Sequence, residues 1–127
     1  MSKYVPILQE HLHAFPFEFE QLLDRDGTLI LSLVGSGGQF LNISFDSYLV
    51  YRKMDEGDAL VSLEEMKKSG GTVKLLYMVE ESKFIAWFHQ ESFAVRVGQP
   101  VVHYAIAAAN DVIDVIAFEE PAINARK

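Results

Sequence analysis

Two polar residues stand on either side of a tight turn in the stretch VVHYAIAAANDVIDVIAF, where His103 precedes Asp114. A histidine hydrogen-bonded to a carboxylate is the core of many acid–base and metal sites. The two must first come within reach of each other. A two-residue Asn110-Asp111 link sets Ala109 opposite Val112, Ala107 opposite Asp114 and His103 opposite Phe118. In that register His103 and Asp114 share a face but lie on the order of 13 Å apart along the strands. That is too far for a dyad or a shared metal, so the spacing favours packing.

Other candidates are more scattered. YRKMDEGD carries Tyr51, Arg52 and Glu56, and an arginine there can grip a carboxylate or phosphate with a glutamate to orient it or act as a base. Strand alternation puts Arg52 on the face of Tyr48 and Val50. WFHQES holds the single tryptophan, Trp87, a potential partner anchor, beside His89, a potential titrating group. His11 and His13 share a face on a strand but not on a helix, and the local spacing favours a helix, so no metal is expected. The Gly35–Gly38 segment lacks the lysine of a phosphate-binding loop, and no serine occupies a nucleophile-elbow pattern. No catalytic residue and no cofactor are assigned.

The elements that must position these residues are mostly strands. Tyr4, Ile7, Leu8, His11, Leu12 and Phe15 recur at helical spacing, which predicts an N-terminal helix over residues 1–15, stopped by Pro16. From Phe17 the period is two. FEFEQLL, an Asp26-Gly27 turn and TLILSLV make a hairpin, and QFLNISF and YLVYRK extend it to a four-stranded meander. A helix capped by Ser62 with Glu65 follows, then a TVKLLYMV strand and a second helix behind Ser82. Strands over Val101–Ala108 and Val112–Phe118 close the fold, and residues 119–127 are expected to be a surface tail. In the last hairpin Tyr104, Ile106, Ala108, Ile113, Val115 and Ala117 form an apolar face. His103, Ala105, Ala107, Asp114, Ile116 and Phe118 form a mixed one, suited to a groove, a helix seat or a subunit contact. The predicted fold is a single α+β domain over residues 1–127, a predominantly antiparallel sheet of about seven strands, sandwich or half-barrel, with two or three short helices on it.

Composition narrows the function. With 127 residues and 50% hydrophobic side chains one core suffices. Cysteine is absent, which excludes disulfides, thiolate metal sites and cysteine nucleophiles. No apolar run is long enough to span a bilayer and no charged-then-apolar leader opens the chain, so a cytoplasmic protein without a membrane partner is expected. A net charge of −7 opposes nucleic-acid binding and suits a basic protein partner. The leading expectation is a non-enzymatic binding protein, by analogy an acidic antagonist like bacterial toxin-neutralising immunity proteins. The alternative is a small enzyme or small-molecule binder with a pocket between sheet and helices, where at least two of Arg52, Glu56, His89 and His103 converge. A homodimer through the mixed face is a third expectation.

Overall fold

The computed structural model describes residues 2–7, 16–70 and 73–126. Among them are nine strands in two antiparallel sheets and two helices. Strand β1 spans Lys3–Pro6, β2 Phe17–Arg25, β3 Thr28–Gly35, β4 Phe40–Phe45 and β5 Tyr48–Asp55. Helix α1 spans Leu60–Gly70, β6 Leu76–Glu80, α2 Lys83–Glu91, β7 Val102–Ala107, β8 Asp111–Ala117 and β9 Ala122–Arg126. One sheet runs β1-β6-β7-β8-β5 and the other β2-β3-β4-β9.

The hairpin expected at Asp26-Gly27 forms as a turn with both residues at positive φ, 53° and 83°. Such a turn matches the twist of the flanking strands, and the glycine takes the left-handed conformation without a Cβ penalty. The alternation in β3 and β4 then sends Leu29, Leu31, Leu33, Leu41, Ile43 and Phe45 to one face, all fully buried. That face meets Tyr104, Ile106, Ile113, Val115 and Ala117 of β7 and β8 in one core cluster drawn from both sheets. The apolar face predicted for the last hairpin is therefore the core face. Its mixed face is a helix seat: Ala105 and Val112 join Tyr4, Met66, Tyr77 and Val79 in a second cluster, with α1 packed on β1 and α2 on β7.

Four expectations need correction. Residues Lys3–Pro6, placed in an N-terminal helix, form a strand on β6 with Tyr4 opposite Val79; Leu8, His11, Leu12, His13 and Phe15 lie outside the described residues. The four-stranded meander is broken after β4, because β5 crosses to the other sheet and pairs β8. A short link does not compel its two strands to pair, since it serves equally as a corner between sheets. Helix α1 starts before Ser62, with Leu63 N–H bonded to the Ala59 carbonyl at 3.1 Å, so Ser62 and Glu65 sit inside the helix and not at its cap. Finally, the residues expected as a surface tail contain β9, which takes the β4 edge with Ile123 opposite Ile43. The two added strands, β1 and β9, account for nine strands where about seven were expected.

The β9 pairing has a measurable consequence. A chain ending at Glu120 loses the partial burial of Ile123 against the core and the ladder bonds to β4. About 1–2 kcal/mol should go with them, and the bared β4 edge should promote association. Urea denaturation and light scattering read the two effects, and an unchanged urea midpoint would show that β9 adds nothing to stability.

Candidate functional site: a Ser–His–Asp–Arg chain and the cavity beside it

The link between β7 and β8 decides the site. Ala108 N–H bonds to the Asp111 carbonyl at 2.9 Å, so the two-residue link is Ala109-Asn110, one residue earlier than expected. Moving a link by one residue shifts the pairing by two, which leaves every side chain on its face but changes its rung. Ala105 now faces Asp114 and His103 faces Ile116. His103 and Asp114 become diagonal neighbours, and the expected 13 Å separation becomes a 2.7 Å contact between His103 Nε2 and Asp114 Oδ1. The link is held from the other sheet. Asn110 Oδ1 accepts from Phe19 N–H at 2.9 Å, and Ala109 N–H donates to the Phe17 carbonyl at 2.7 Å.

Two further elements complete the chain of contacts. A register shift between Tyr48 and Val50 returns β5 to phase with β8, putting Arg52 directly across from Asp114. Its Nε donates to Asp114 Oδ2 at 2.9 Å. The same shift separates Tyr48 from the Arg52 face: Tyr48 and Tyr51 pack on the main core with their rings 5.6 Å apart. On the other side Glu81, at φ 52°, turns the chain sharply between β6 and α2. Ser82 then caps α2, accepting from Ile85 N–H at 3.0 Å, and its hydroxyl meets His103 Nδ1 at 2.7 Å.

His103 and Asp114 are only 2% and 3% exposed. An ionised carboxylate only accepts, so Nε2 of a neutral His103 donates to Asp114 and Nδ1 accepts the Ser82 proton. Burial pushes the Asp114 carboxyl up, but the hydrogen bond from His103 and the charge and hydrogen bond of Arg52 outweigh it and hold the carboxyl below the ordinary value. Aromatic rings enclose the pair: Phe84 stands edge-on to His103 at 5.3 Å and Tyr4 at 6.5 Å. Burial also raises the Tyr4 hydroxyl, with Ser62 beside it pulling the other way and the Asp114 and Glu65 charges adding to the rise.

The order serine, histidine, aspartate resembles the contacts of a nucleophilic triad, but its connections are closed. Ser82 Oγ is committed to both the helix cap and the histidine, both ring nitrogens of His103 are used, and both Asp114 oxygens are used. Ser82 is not among the residues that line the adjacent cavity. The chain is a tie between α2, β7, β8 and β5. Ser82→Ala is expected to cost about 2 kcal/mol, one part for the lost cap and one for the orphaned Nδ1. Urea denaturation reads the total, and faster hydrogen exchange at the Ile85 amide locates it. A loss under about 0.5 kcal/mol would mean the hydroxyl is readily replaced by water.

Beside this tie lies a cavity of about 250 Å³ between α1, α2 and the sheet. Arg52, His103 and Trp87 line it together with Tyr4, Phe84 and Lys83. Arg52 lies over the Phe84 ring at 4.2 Å, and Phe84 is stacked on Trp87 with centroids 5.7 Å apart and planes 7° from parallel. Three of the six candidate residues thus converge. Tyr51 faces the core, Glu56 stands exposed in the turn after β5 with its N–H on the Asn110 carbonyl at 3.1 Å, and His89 is absent from the cavity's described walls. Asp114 and Ser82 gave one sequence signal each, a shared face with His103 and a helix cap, and neither fixed a distance. Tyr4, Phe84 and Lys83 gave none.

Among the described residues no group of three or more His, Cys, Asp or Glu side chains is placed to hold a metal ion, and His11 and His13 lie outside them. No helix among the described residues is long and apolar enough to cross a membrane. No protein-family model, curated protein or solved structure matches the chain.

Proposed function

We propose that this protein is a small, single-domain, non-enzymatic binding protein, and that its recognition face is the helix-covered side of the five-stranded sheet. The observation that carries this is the closed hydrogen-bond chain. Every polar atom of Ser82, His103 and Asp114 already has a partner, which suits holding a surface in shape better than moving protons. In front of it Leu60, Val61 and Trp87 are 65%, 66% and 47% exposed, next along the chain to exposed Asp55, Glu56, Asp58 and Glu64. Exposed aromatic and aliphatic side chains with acids close by in the sequence suit a basic protein partner. With the net charge of −7, this supports a cytoplasmic antagonist of the same class as bacterial toxin-neutralising immunity proteins. The shared core of the two sheets is read as a sandwich that holds the face rigid.

Affinity capture from extracts of the producing cells tests the reading. Wild type should retain one basic protein at low salt and release it at high salt, while Trp87→Ser and a Glu56→Lys, Asp58→Lys double variant should retain little. Equal retention by all three proteins would overturn the assignment of the face. Sedimentation of the pure protein adds the homodimer outcome, in which a second copy covers the same side.

The cavity itself favours a second reading, a small-molecule binder. It brings together Arg52, His103 and Trp87, residues from three separate stretches of chain. Native mass spectrometry of gently purified protein, with excess mass lost on denaturation, would support it over the first.

A further inference from the structure

We infer that the cavity between α1, α2 and the sheet binds a small organic monocarboxylate with an apolar body, its carboxylate on Arg52 and its body against Trp87. The inference rests on the small-molecule reading and adds the chemical class.

Arg52 is held before any ligand arrives. Its Nε is fixed on Asp114 at 2.9 Å and its guanidinium is stacked 4.2 Å from the centre of the Phe84 ring. The two restraints leave the terminal amino groups as the unspent part of the donor fork, on a side chain that is 44% exposed. A planar fork already ordered on one edge matches a carboxylate at small entropic cost. Ser2, Tyr4, Ser62 and Lys83 border the same space, and their side chains are of donor type. The Tyr4 hydroxyl stays protonated, because burial raises its pKa.

Charge selects the valence of the ligand. Asp114 offsets Arg52, and Glu65 on the cavity wall offsets Lys83. A singly charged carboxylate is accepted by the fork, whereas a phosphate dianion brings a second negative charge towards Glu65. An amine finds no acceptor on the Arg52 fork. The remaining walls, Val61, Phe84 and Trp87, are apolar, and about 250 Å³ is at the small end of ligand pockets. Aryl carboxylates of benzoate or phenylacetate size fit both requirements. A ligand this small should bind with Kd on the order of a millimolar or tighter.

The test is a titration of the full chain with benzoate, phenylacetate, benzamide, benzylamine and inorganic phosphate, read by Trp87 fluorescence and by amide chemical shifts. The two carboxylates should give saturable changes centred on Trp87 and Phe84, with benzamide, benzylamine and phosphate at least tenfold weaker. Arg52→Gln should weaken benzoate tenfold or more. Should that variant fail to fold, Lys83→Gln and Val61→Asp decide the matter, since both side chains are outside the buried tie; each should weaken benzoate severalfold with an unchanged urea midpoint. Benzamide binding as tightly as benzoate, or tighter binding of the amine or phosphate, overturns the carboxylate class and leaves a small-molecule site standing. No saturable binding by any probe overturns both.

Discussion

Asp114→Ala is expected to destabilise the protein by about 3 kcal/mol, from an orphaned buried histidine donor together with a lost charged hydrogen bond. Among the described residues the carboxylate is the acceptor shared by His103 Nε2 and Arg52 Nε. Its loss orphans a ring that is 2% exposed and so has no water to turn to. Arg52, half exposed, recovers most of its loss by hydration, so the larger part of the cost lies at the ring. Arg52→Gln should cost about 2 kcal/mol, because it takes the cationic partner from a carboxylate that stays buried. Asp114→Asn should fall between the two, because the amide oxygen still accepts from His103 while its NH2 opposes the Arg52 donor.

The same residue sets an acid limit. The folded-state pKa of Asp114 is lowered, so the stabilisation it supplies is present in full above the unfolded-state value and is lost as pH falls through the folded one. Wild-type stability should therefore decline below about pH 4. Asp114→Asn, which has no proton to take up there, should show a shallower decline. Urea midpoints measured from neutral to acid pH give both results. Parallel declines in the two proteins would mean that other carboxylates govern the acid limb.

Leu31→Ala is the second large effect, expected at about 3 kcal/mol. Leu31 is fully buried on β3, opposite Ile43 of β4 and Leu22 of β2. It lies in the cluster that also holds Tyr104, Ile106, Ile113 and Val115 of the other sheet. Partners on two sheets cannot both close in, so the truncation leaves a cavity in addition to the lost transfer energy. Leu23→Ala on β2 is the matched control. Its side chain is 38% exposed, and the same change should cost under about 1 kcal/mol. Equal costs at the two positions would mean that the two sheets do not share a close-packed core.

The fold was legible in the sequence where a local rule sufficed. Alternation identified the buried faces of β3, β4, β7 and β8, Asp26-Gly27 identified the hairpin, and Ser82 identified the start of α2. Short segments whose partners are remote were misread. Tyr4 and Ile7 fit helical spacing, but Tyr4 packs edge-on to Tyr77 at 5.6 Å as part of a strand on β6. AINAR lacks the run of large apolar side chains that marks a strand, and it is ordered by an open β4 edge. Of the site, the sequence identified Arg52, Trp87 and His103 and put His103 on the same face as Asp114. The 2.7 Å contact between those two depends on a link one residue from its expected place.

By itself the sequence determined the fold class, the inward faces of the main strands and the absence of cysteine chemistry, because side-chain period, turn residues and composition act within a few neighbours. Only the tertiary structure decided the sheet change at β5, the roles of β1 and β9, and the rung on which His103 meets Asp114. Each of these is set by hydrogen bonds between segments far apart in the chain. For the rung they are the bonds of Asn110 to Phe19, which select one of two links that pattern alone leaves equivalent.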